Sequence, residues 1–174
     1  MNEASWRGVR GPLPFGALAI AVVLSALAIV EALGGQARPE PDPPWVAHLQ
    51  AMDDALAAGD RRVADWALRE AHWAALGSRR WEGMIEVGDA ARRAGNITVA
   101  RTAYMTAAFR ARRLRSLEGI LSAAQAFAGL GDREAAQQWL SVATELAKPS
   151  ESGLARVRTV GENLHRRAFA GERP

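Results

Sequence analysis

Hydrophobic and polar positions divide this chain into three regimes. Residues 11–30, GPLPFGALAIAVVLSALAIV, carry no charge. Residues 34–44, GGQARPEPDPP, interleave proline and glycine with charge. From Trp45 onward, apolar and small residues recur at spacings of three and four, the period of amphipathic helices.

The first regime predicts a transmembrane helix over residues 12–33. Leu13 to Val30 is 18 residues, or roughly 27 Å of helix, and Ala32 and Leu33 extend it toward a hydrocarbon core of about 30 Å. Pro12 and Pro14 fall in the first turn, where a missing N–H costs least. Arg7 and Arg10 precede the run, so the positive-inside rule places residues 1–11 in the cytoplasm. A cleavable signal peptide is the competing reading, with Gly35-Gln36-Ala37 as its cleavage site. The apolar run is long for one, and Glu31 interrupts the region before that site. Gly16, Ala17, Ala21, Ser25 and Ala28 form a small-residue stripe, which lets a neighbouring membrane helix approach closely. The second regime is a semi-rigid, extended spacer of ~3 Å per residue.

The third regime is self-similar. Gly59-Asp60, Gly95-Asn96 and Gly131-Asp132 are each 36 residues apart. Aligning on them stacks Ala64, Ala100 and Ala136, then Ala71, Ala107 and Ala143, then Ala75, Ala111 and Ala147. Leu68, Tyr104 and Leu140 share the larger apolar column. Upstream, Trp45, Trp81 and Leu117 coincide, as do Glu82-Gly83 and Glu118-Gly119. Glycine accepts the left-handed geometry that ends a helix, and Asp or Asn caps the next one. Each unit therefore reads as a helical hairpin that must stack on its neighbours to bury its face.

These positions resemble the tetratricopeptide repeat family. There a second helix opens after Gly-Asp and carries a small residue, a large one and an alanine, here Ala136, Leu140 and Ala143, or Ala100, Tyr104 and Ala107. First helices are matched by Met84, Val87, Gly88 and Ala91, and by Ile120, Ala123, Ala124 and Phe127. His48, Ala51, Met52 and Ala55 depart from the pattern. Val157, Val160, Gly161 and Leu164 suggest a last, capping helix. The resemblance implies an all-α fold: three hairpins (45–76, 81–112, 117–148), a cap (152–168) and a short tail (169–174). A period of 36, against 34 in the family, implies a longer loop between hairpins.

In such arrays first helices line the face where peptides dock. The resemblance places Leu49, Asp53, Glu82, Ile85, Glu86, Asp89, Leu121 and Gln125 there. Asp53, Asp89 and Gln125 stand where carboxylate-clamping members of the family carry asparagine, which disfavours a peptide-carboxylate receptor. Charged helix faces also need no ligand at all. Arg110, Arg112, Arg113 and Arg115 form the densest basic run. They complement a helix C-terminus or meet anionic headgroups. Trp66, Trp73, Trp81 and Trp139 read most simply as core, with any exposed member available to a partner.

Composition narrows the chemistry. The 174 residues include no Cys and three His, so thiolate metal sites and thiol catalysis are excluded. His48, His72 and His165 have no ligand spacing, and no phosphate loop or nucleophile motif is present. No enzyme, cofactor or metal role is expected. Net charge is +3, with arginine supplying every basic residue except Lys148. No aromatic interleaving points to nucleic acid. The expectation is a single-pass bacterial inner-membrane protein whose periplasmic repeat domain binds other membrane or periplasmic proteins. It would be an accessory subunit of an energy-conversion type of complex, or else an assembly factor or chaperone tether.

Overall fold

The computed structural model describes residues 42–170 and the side chains of residues 42–166. The expected membrane helix with its small-residue stripe, most of the spacer, and residues 171–174 of the tail lie outside the described residues. Among the described residues there are seven helices and no strands. They are α1 (Val46–Ala57), α2 (Arg61–Ser78), α3 (Trp81–Arg93), α4 (Ile97–Arg113), α5 (Leu117–Gly129), α6 (Arg133–Ala147) and α7 (Glu151–Ala170). None is long and apolar enough to cross a membrane.

Consecutive helices pack as antiparallel neighbours, and α3, α5 and α7 also touch one another in sequence. The result is a helical, repeat-like stack with two layers. First helices α1, α3 and α5 form one layer, continued by α7, and second helices α2, α4 and α6 form the other.

The three Gly-Asp/Asn turns are built alike. Gly59, Gly95 and Gly131 take φ of 76°, 79° and 78°. At the first, the Gly59 N–H bonds the Leu56 carbonyl and the Asp60 N–H bonds the Ala55 carbonyl, which satisfies carbonyls the ending helix leaves orphaned. Asp60, Asn96 and Asp132 then accept from the N–H groups of Val63, Val99 and Ala135. Each cap contributes about 1 kcal/mol.

All nine alanines of the three columns are buried. They bring second helices close, and the larger residues Trp45, Met52, Met84, Tyr104, Ile120 and Phe127 fill the space between layers. The leading residue of each first helix meets a glycine of the next. A Cβ on Gly83 would lie 2.9 Å from the Trp45 ring, one on Gly119 2.7 Å from the Trp81 ring, and one on Gly153 3.4 Å from Leu117. Glycine at 83 and 119 seats the indole of the preceding repeat against the helix backbone, whereas Leu117 meets Gly153 at ordinary contact distance.

The extra length of the repeat is not in the loops. Two or three residues join successive hairpins. The second helices hold it instead: α2 has 18 residues and α4 has 17, whereas α6 has 15. The interval from the Ser116 cap to the Ser150 cap accordingly falls to 34.

Candidate functional site

The acidic residues expected on the first-helix face are tied into the fold. Asp53 of α1 pairs with Arg93 at the end of α3, at 3.1 Å. Glu86 accepts the Trp45 indole N–H at 2.6 Å. Asp89 accepts the Tyr104 hydroxyl at 2.7 Å. Glu82 lies 3.7 Å from Arg80. Leu49 and Ile85 are half-buried margins of the core. The exposed Asp53–Arg93 pair is worth ~0–1 kcal/mol. The Tyr104 pair is less exposed to water: burial first, then the bond to Asp89, pushes the phenol well above its ordinary range.

Leu121 and Gln125 are the expected residues that share a cavity. Together with Glu118 and Ser122 of α5 and Ala155, Arg156, Thr159 and Val160 of α7 they line an open groove of about 480 Å³. It holds one acid and one base, Glu118 and Arg156. Leu49, Asp53, Glu82, Ile85, Glu86 and Asp89 do not line it.

The basic run divides. Arg110 is half-buried and donates to the carbonyls of Ala75 and Arg80 through Nη1 and of Leu76 through Nη2, each at 2.9 Å. It closes the C-terminus of α2 onto α4, where a cation also meets the helix dipole. Burial, then the neighbouring Arg113, pulls its pKa down. The same arginine, after burial itself, lowers the pKa of His72. Arg112, Arg113 and Arg115 are exposed.

Two tryptophans occupy the outward face of α2. Trp66 is 52% exposed and Trp73 68%. They stand two turns apart, opposite the buried line of Ala64, Leu68, Ala71 and Ala75. That line was readable in the sequence, and a helical wheel drawn on it places both indoles outside. Trp139, by contrast, is buried against Phe109, ring centroids 5.4 Å apart. Among the described residues no group of three or more His, Asp or Glu is placed to hold a metal ion. No protein-family model, curated protein or solved structure matches the chain.

Proposed function

We propose that this chain is a membrane-anchored, tetratricopeptide-like interaction module, with three hairpins and α7 as their cap. In this reading it is an accessory or stabilising subunit of a multi-subunit bacterial inner-membrane complex of the energy-conversion type, its repeat domain on the periplasmic side. The observation that carries the reading is the Trp66–Trp73 ridge. Two indoles at helical register, backed by a helix rigidly held through its alanine face, form a preorganised anchor of the kind that dominates protein interfaces. A fully buried aromatic side chain covers roughly 150–250 Å², and Trp66 and Trp73 still expose about half and two thirds of theirs. The groove between α5 and α7 is small and half polar, which suits a second contact with a partner better than capture of unfolded clients.

Purification in mild detergent tests this. One complex at fixed stoichiometry is expected, lost in a Trp66→Ala/Trp73→Ala variant whose melting temperature stays that of the parent, because neither ring is in the core. Many substoichiometric clients would replace the subunit reading with that of an assembly factor or chaperone tether.

A further inference from the structure

The two edges of the stack are built from different turns. Where a first helix leads into a second, the left-handed position is glycine, at 59, 95 and 131. At two of the three junctions from a second helix to the following helix it is arginine, Arg79 at φ 60° and Arg115 at φ 53°; at the third, Lys148 is right-handed at φ -45°. The turn at Arg115 has the same hydrogen bonds as the glycine turns, Arg115 N–H to the Arg112 carbonyl and Ser116 N–H to the Ala111 carbonyl. Glycine would therefore fit without strain, yet the chain keeps a side chain that disfavours this backbone. Strain retained at an exposed turn points to a use for the side chain itself.

The surroundings indicate that use. Arg79, Arg112, Arg113 and Arg115 are exposed, and no ion pair among the described residues holds any of them. Arg80 pairs with Glu82, and Glu118 and Glu151 are the acids in the first turns of α5 and α7. On the opposite edge Arg93 is tied to Asp53, while Arg61 and Arg62 at the start of α2 are exposed, as is Arg92, with no exposed large apolar side chain between two arginines as there is at Leu114. Between Arg113 and Arg115 stands Leu114, 60% exposed, an apolar side chain at the tip of a cationic turn. Because the hairpins alternate in direction, this edge is also where α1 begins. In the sequence, α1 follows the apolar run at residues 11–30.

We infer that this edge rests on an anionic phospholipid surface, with Arg79, Arg112, Arg113 and Arg115 meeting lipid phosphates and Leu114 reaching the acyl-chain boundary. The inference rests on the membrane-anchored reading above. Cations near such a surface attract it additively, and one apolar tip adds depth. Arg110 takes no part, its guanidinium being consumed by the carbonyls of the preceding hairpin.

The chain has no cysteine, so Leu114→Cys gives the full chain one labelling site for a polarity-sensitive fluorophore. In vesicles containing phosphatidylglycerol, its emission should shift to the blue and be quenched by nitroxides on the acyl chains. A Thr98→Cys label on the opposite edge should stay in water. Each arginine removed should weaken the contact about fivefold, and Arg115→Gly should do so while raising the melting temperature. A Leu114 label that stays in water, that responds equally in pure phosphatidylcholine, or that is shielded only by a co-purifying protein would overturn the inference. So would an Arg115→Gly variant that gains stability and meets the lipid as strongly as the parent. Flotation separates the two readings: a chain that fails to float with vesicles removes both, whereas one that floats with Leu114 in water removes this one alone.

Discussion

Gly119→Ala adds one methyl group at the junction between the second and third hairpins. The new carbon would sit 2.6 Å from the Ala111 Cβ and 2.7 Å from the Trp81 ring, where carbon atoms prefer about 3.5–4.0 Å. Ala111 has no rotamer to change, because its Cβ is fixed to the backbone of α4. Relief requires α5 to move away from α4 by roughly an ångström, or Trp81 to leave its seat as well. Overpacking of this kind costs about 1–3 kcal/mol, and two obstructed neighbours place it at the upper end. Alanine returns up to ~1 kcal/mol through its helix propensity. The net expectation is a loss of about 2 kcal/mol, or a melting temperature lower by roughly 6–10 °C for an array of this size. Gly77 is the control: it lies in the last turn of α2 with nothing within 4 Å of an added Cβ. Gly77→Ala should therefore stabilise, by up to ~1 kcal/mol. Thermal melting followed by circular dichroism, with urea unfolding alongside, reads both variants. A Gly119→Ala protein that melts at or above the parent would refute the ring-on-glycine account of how successive hairpins lock.

Other variants probe single elements of the same scheme. Tyr104 is the one tyrosine, and its raised pKa means the unfolded chain loses the phenolic proton first; stability should fall as pH rises above about 10. Tyr104→Phe should remove that part of the slope, and phenolate absorbance of the folded parent should lag the ordinary titration. Arg110→Ala removes a charged donor from three carbonyls, of which Ala75 keeps the Ser78 hydroxyl and Arg80 is open to water, and should cost about 1–2 kcal/mol, measured by urea unfolding, with Arg110→Lys restoring part of it. Gly131→Val forces a branched side chain into a left-handed turn where no neighbouring atom lies within 4 Å of an added Cβ. The conformational penalty alone should destabilise by ~1–2 kcal/mol, and an unchanged melting temperature would contradict the turn geometry. His72, its pKa lowered by burial and then by Arg110, should make stability decline as pH falls below about 6.5. A His72→Gln variant should flatten that decline.

Much of the stack is legible in the primary structure because its determinants are local. A glycine that must be left-handed, an Asp or Asn that caps the next turn, and alanines seven residues apart act within one helix or one turn. Their recurrence at 36 residues marks hairpins that stack. The candidate site was less legible. Asp53, Glu86 and Asp89 look like an open acidic face until Arg93, Trp45 and Tyr104 are brought to them from other helices. Arg110 is one cation in a basic run until the end of α2 arrives beneath it.

Sequence by itself thus determined the all-α class, the hairpin turns and the alanine faces, since each follows from backbone preferences and periodicity within a few residues. Tertiary structure alone decided which side chains are already engaged and which stay available. It sealed Trp45 under Gly83 and left Trp66 and Trp73 in solvent, and it tied Arg110 down while leaving Arg79 and Arg115 exposed. Those outcomes depend on which repeat stacks on which, at what distance, and the glycines that admit a neighbouring ring set that distance across the junctions.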